Sequence, residues 1–280
     1  MNKVQAQLLS GGRLHLQHGP IDLVIWAEGP AAAVQAGYHA AQARMELVLQ
    51  ELAGELPLLR RPYPQVNGRI AKRMAAACAP YHPLFLTPMA AVAGAVAEEV
   101  LAHLIQPQMT RAYVNNGGDI AIHLAKDQRL TCAIAAAGRH GIEIADGSPI
   151  RGIATSGWGG RSFSFGIADA VTVLARSASA ADAAATVIAN AVDLPDHPAI
   201  RRHPACDLQA DSDLGARLVT THVPDLSPAA CDTAIAAGMA CAHDLQSRGM
   251  IEAAAIFLQS GVAVLGAPFA RIGKGEAAFA

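Results

Sequence analysis

Between Arg151 and Val192 the chain lines up residue types suited to holding a phosphate and a hard cation. The segment Ala154–Ser162 carries the hydroxyls of Thr155, Ser156 and Ser162, the glycines Gly157, Gly159 and Gly160, and the guanidinium of Arg161. Exposed backbone amides, hydroxyls and a guanidinium are the donors that surround a phosphoryl group, and glycine lets the backbone approach it closely. Further on, Asp182 and Thr186 stand four residues apart. On a helix that spacing puts a carboxylate and a hydroxyl on one face, an oxygen pair suited to Mg2+. Each also has a purely structural reading. Ser179-x-x-Asp182 resembles a capping box, and Thr186 can return its hydroxyl to the helix backbone.

Two further acids stand out. Asp169 interrupts the apolar run Ile167–Leu174, where an unpaired charge is costly, so it needs a partner or a cleft. It either takes part in chemistry or orders the glycine loop. Asp119 closes Asn116-Gly117-Gly118-Asp119, which reads as a hairpin turn and equally as a place where glycine amides, Asn116 and Asp119 hold a nucleotide.

The elements that must position these groups follow from pattern. Arg13–Gln17 and Ile21–Trp26 flank His18-Gly19-Pro20 and predict the first strand pair, and Ala31–Leu52 predicts a long helix that ends before the prolines from Pro57 to Pro64. A short helix is expected over 68–78. Thr87 and Pro88 then open a helix to about Ile105, with Thr87 as cap. Strands are expected on both sides of Gly117-Gly118 and at 130–135, 151–155 and 168–175, with a helix over 179–192. Residues 193–215 hold three prolines and no sustained period, which predicts an irregular lid-like loop. Ser227 caps a helix reaching Arg248, and 252–258 with 262–265 form a last hairpin. Strands and helices do not alternate regularly, so the expected class is α+β, a single domain over 1–280 with mixed or antiparallel sheets and packed helices.

Bulk properties narrow the function. With a formal charge of −2 and aromatics at 4%, the chain has neither the basic field nor the stacking surface for nucleic acid, and none is expected as a partner. No stretch offers the roughly 20 clean apolar residues of a membrane span. The start MNKVQAQLLSGGRLHL has no apolar segment ending in a cleavage triplet, so a cytoplasmic protein is expected. The five scattered cysteines should be reduced and mostly buried, and alanine-rich helices leave room for a homodimer. No histidine or cysteine spacing predicts zinc.

The succession Asn116-Gly117-Gly118-Asp119-Ile120, Ala154-Thr155-Ser156-Gly157, Val171-Thr172-Val173 and Ala181-Asp182-Ala183-Ala184-Ala185-Thr186 resembles, in order and spacing, the ApbE superfamily of flavin transferases. The likeness covers roughly residues 87–192. It implies an ApbE-like α+β fold, FAD or FMN as cofactor, and Mg2+ held by Asp182 and Thr186. It further implies transfer of FMN to a threonine of an acceptor protein. Asn116, Gly117, Gly118, Thr155, Ser156, Gly157, Arg161 and Ser162 would then bind the cofactor, with Asp119 or Asp169 positioning or deprotonating the acceptor hydroxyl. Three departures qualify the match. Alanine stands where the family's lysine falls within Ala90–Gly94, Trp158 replaces the aspartate after ATSG, and Ser162–Asp169 replaces a His-x-x-Asp-Pro element. With His18-Gly19-Pro20 and Thr87–Gly94, the chain is most similar to a compact ApbE-related family. Two alternatives stay open: an enzyme of cofactor biosynthesis acting on another phosphorylated or pterin-like small molecule, and a non-catalytic flavin-binding protein.

Overall fold

A computed structural model describes residues 3–133 and 141–269. In chain order the elements are β1 (Gln5–Leu9), β2 (Arg13–His18), β3 (Ile21–Glu28), α1 (Ala31–Leu59), α2 (Arg69–Cys78), α3 (Val92–Leu104), β4 (Arg111–Asn116), β5 (Asp119–Leu124), β6 (Arg129–Ala133), β7 (Gly141–Ala145), β8 (Gly152–Ser156), β9 (Ala170–Ala175), α4 (Ala178–Ala191), β10 (Arg201–Pro204), α5 (Ala205–Leu208), β11 (Leu218–His222), α6 (Pro228–Ser247), β12 (Ala253–Leu258) and β13 (Gly261–Leu265). The α+β expectation holds. The last residues of the strand expected at 130–135 lie outside the described residues.

The chain divides into two compact units, one of residues 1–130, 144–154 and 176–182, the other of 131–143, 155–175 and 183–280. In the first, β1 to β5 pair antiparallel in sequence order, and Gly152 and Ile153 of β8 extend the sheet beside Ala121 and Ile120 of β5. Alternation sets the buried face: Leu14, Leu16, Leu23, Ile25 and Val114 point inward. Tyr38, Met45 and Val48 of α1 and Val96, Val100 and Leu104 of α3 join the same core. Burying each of the larger aliphatics contributes about 2 kcal/mol.

Two boundaries differ from expectation. Helix α1 runs through Pro57 to Leu59. Proline there forfeits a single helical bond near the end, and Arg60 and Arg61 amides close the last turn on Leu56 and Leu58 carbonyls. Thr87 makes no side-chain cap. Residues Pro88–Ala91 form a 3-10 turn, and α3 starts only at Val92.

In the second unit β9, β12 and β13 pair antiparallel, and Thr155 at the end of β8 bonds Thr172 of β9 across 2.9 Å. Every residue of β12 is buried, as its unbroken apolar sequence Ala-Ala-Ala-Ile-Phe-Leu demands. Segment 193–215 is more ordered than its composition suggests. Arg201–Pro204 pairs antiparallel with Leu218–His222, and Ala205–Leu208 forms a helical turn. The polar sequence Arg-Arg-His-Pro has no strand pattern of its own, so the partner strand supplies the order. All five cysteines are free, Cys78 and Cys231 buried and the other three partly so. Among the described residues no helix is long and apolar enough to cross a membrane.

Candidate functional site

The N-terminal halves of α3 and α4 exchange capping bonds. Glu98 of α3 accepts the Ser179 amide of α4 at 2.6 Å, and Asp182 of α4 accepts the Gly94 amide of α3 at 3.0 Å, with the Ala93 amide also directed to that carboxylate. Each carboxylate thus satisfies amides that a helix start leaves unpaired and lies at the positive end of the other helix's dipole. Glycine is required for this approach. A Cβ at Gly94 would lie 2.3 Å from the Ala178 carbonyl oxygen, and one at Gly152 would lie 2.1 Å from the Ser177 backbone. The small residues at 90–97 therefore serve packing at Gly94, and the cap of α4 is not the expected Ser179-x-x-Asp182 box. Ser177 accepts the Ala180 amide, and Asp182 serves the neighbouring helix.

Asp119 stands against this junction. The pair Asn116 and Asp119 closes the β4–β5 hairpin around Gly117 and Gly118, whose φ values of +65° and +115° favour glycine. The Asn116 amide donates to the Ala93 carbonyl at 3.1 Å, and Asn115 accepts the Gly118 amide at 2.8 Å. Burial, and then the charge of Asp119, push the Asp182 carboxyl well above the usual range, against the pull of the Gly94 and Ala93 amides. The Cys78 thiol is pushed up by burial and by the charge of Asp182, and it donates to the Thr87 carbonyl at 3.4 Å. The first unit therefore gathers Asn116, Gly117, Gly118, Asp119 and Asp182, with Asp182 half-buried rather than sealed.

The second unit holds the glycine loop. Thr155, Arg161 and Ser162 are exposed, while Ser156 is half-buried. Gly157 is buried, and a Cβ on it would meet the Asp169 carbonyl oxygen at 2.2 Å, so its small size serves loop packing. Asp169 engages both carboxylate oxygens: Trp158 donates its indole N–H to one at 3.1 Å, and the Gln259 amide donates to the other. Gln259 is a hub. Its side chain accepts the Leu226 amide and the Cys231 thiol and donates to the Pro224 carbonyl. Thr186 is half-buried on the part of α4 that belongs to this unit. A groove of about 480 Å³ between α6 and β13, lined by Pro228, Cys231, Asp232, Ile235 and Ser260–Val264, contains none of the expected site residues.

Sequence reasoning did not single out Trp158 and Gln259 as partners of Asp169, or Glu98, Cys78 and Ser177 as groups around the start of the helix that carries Asp182. For Glu98 a signal existed. Glu98-Glu99 follows eight apolar or glycine residues on a helix, where acids need partners. Nothing local marks Gln259.

Comparison with known proteins follows the same direction as the motifs. The family described as AbpE bacteria matches residues 5–271. A UPF0280 protein of Methanothermobacter thermautotrophicus is 44% identical over 115 residues, 39% of this chain and 44% of that protein. Another, from Methanothrix thermoacetophila, is 41% identical over 128 residues, 44% of this chain and 52% of that protein. The chain thus spans about half the length of these relatives. Among solved structures, the apo flavinyl transferase ApbE of Pseudomonas stutzeri aligns over 96% of both chains at 15% identity and a TM-score of 0.41.

Proposed function

Because this chain belongs to the AbpE bacteria family, we propose that it binds a flavin, FAD or FMN, together with Mg2+, and that it transfers FMN from FAD to a threonine hydroxyl of an acceptor protein. The observation that carries the proposal is the carboxylate of Asp182. It is half-buried, held by the Gly94 amide on one oxygen and electrostatically opposed by Asp119.

Mg2+ fits these donors. Asp182 offers a carboxylate oxygen, and Thr186 follows one helical turn later with a hydroxyl. Among the described residues there is no group of three or more His, Cys, Asp or Glu able to hold a metal. Such a site needs water and phosphate to complete the shell, which is the habit of Mg2+. When bound, the ion supplies charge neutralisation at the pyrophosphate. Thr155, Arg161 and Ser162 hold and orient the phosphates with hydroxyl and guanidinium donors. Gly117 and Gly118 let the backbone approach the cofactor. Asp119 would accept the proton of the acceptor's threonine hydroxyl while the threonine oxygen replaces AMP on the FMN phosphate of FAD. Asp169, with both oxygens engaged by Trp158 and Gln259, shapes the glycine loop.

A second reading, binding without transfer, is favoured by the alanine at the lysine position: no cation is supplied there to stabilise developing charge. One assay separates the two. FAD, Mg2+ and a threonine-bearing peptide should give AMP and a fluorescent peptide, and FAD quenching should depend on Mg2+ and weaken at least about tenfold in Asp182→Ala. Quenching without AMP leaves the binding reading; no FAD binding with or without Mg2+ removes both and points to another phosphorylated or pterin-like ligand.

A further inference from the structure

We infer that Glu98 is a positioning residue for Asp182, and this rests on the reading of Asp182 as a ligand-binding carboxylate. Glu98 divides its two oxygens between two jobs. One accepts the Ser179 amide at 2.6 Å and the other pairs with the Arg73 guanidinium Nε at 2.9 Å. The first bond fastens the opening turn of α4 to α3, and Asp182 lies three residues further on along that turn. The return bond runs from the Gly94 amide in the first turn of α3 to Asp182, and Glu98 lies one helical turn further along α3. Two bonds running in opposite directions between the same two helix starts fix both translation and rotation of α4 against α3, which a single bond cannot do.

The contact at Gly94 makes the arrangement stiff. With the Ala178 backbone pressed where a Cβ would stand, α4 has no room to slide toward α3, and loss of Glu98 releases it only outward. Outward movement lengthens the Gly94 bond and frees the Asp182 carboxylate to rotate. Glu98 also supplies the negative charge that α4's N-terminus favours, through the Ser179 amide.

The test uses 15N-labelled full-length protein. In Glu98→Ala the Gly94 amide proton should move upfield as its carboxylate partner drifts, and Mg2+-dependent FAD affinity should fall about tenfold or more, the usual cost of losing a group that orients a ligand. Glu98→Gln keeps an acceptor for the Ser179 amide and should retain the Gly94 resonance and most of the affinity. Val48→Ala, a core truncation on α1, should lower Tm while leaving both readouts in place. If Glu98→Ala does not fold, Glu98→Asp, one methylene shorter, should shift the Gly94 proton in the same sense. An unmoved Gly94 amide with unchanged affinity in the Glu98 variants, or equal changes in Val48→Ala, overturns the inference. If the wild type binds no FAD in the presence of Mg2+, the flavin reading fails, while the Gly94 resonance still decides whether Glu98 positions Asp182.

Discussion

The indole N–H of Trp158 donates to Asp169 across 3.1 Å, and so ties the glycine loop to the residue just ahead of β9. The Trp158 amide adds a bond to the Ala168 carbonyl at 3.0 Å, so backbone and side chain of one residue hold the same short stretch. Trp158 thus acts here as a donor to an acid.

Asp169→Asn tests that tie. Trp158 and Gln259 both present N–H donors, and an asparagine has one acceptor oxygen for the two. A loss of about 1–3 kcal/mol in urea unfolding is expected from the unsatisfied donor. Tryptic cleavage after the exposed Arg161 should speed up in the native protein. Unchanged stability together with unchanged cleavage would show that the loop is held by other contacts.

Glu99 predicts an acid limb of stability. Its side chain is 1% exposed and meets Arg44 at 2.9 Å, Arg73 at 3.0 Å and Arg69 at 3.2 Å. Burial alone would raise its carboxyl, but the Arg44 and Arg73 guanidinium groups outweigh that and hold it below the ordinary 4.5. A lowered folded value means that the stabilisation is complete above about 4.5 and is lost as pH falls through the folded value. Glu99→Gln should therefore cost about 1–3 kcal/mol at neutral pH, since Arg44 and Arg73 keep Glu51 and Glu98 as partners but lose a buried charged acceptor, and the gap to wild type should narrow below pH 4.5. A gap independent of pH in denaturant melts would exclude ionised Glu99 as the source.

Gly94→Ala should destabilise by about 1–3 kcal/mol or more through overpacking, because the added methyl meets backbone on α4 rather than a side chain able to turn away. Calorimetry gives the size of the effect. A neutral result would mean that the two helix starts are not in close contact in solution.

Thiol reactivity should rank by burial. Burial pushes the Cys132 thiol up to about 11 and raises Cys78, Cys231 and Cys241 as well. At pH 8 a disulfide reagent should modify partly exposed Cys206 first and reach buried Cys78 only on unfolding. Early labelling of Cys78, read by peptide mass, would contradict its enclosure.

How far the sequence reaches can be judged element by element. The hairpin at Gly117-Gly118, the Ser227 cap of α6 and the all-apolar β12 were legible because each depends on neighbours in the chain: positive φ, an acceptor for the Ala230 amide at 3.2 Å, or burial of a whole strand. The ribbon of β10 and β11 was not, since Arg201–Pro204 becomes a strand only beside Leu218–His222.

For the acids the division is sharper. Composition and spacing alone determined the α+β class, singled out Asp119, Asp169 and Asp182 as candidate site acids, and marked Asp169 as one that needed a partner. Which partners they found was decided by the tertiary structure. Asp182 meets an amide 88 residues away in the chain and Asp169 one 90 residues away, and no local pattern encodes separations of that kind. A hydrogen bond of about 3 Å is a condition on three-dimensional distance, whereas sequence periodicity constrains only which face of its own element a side chain occupies.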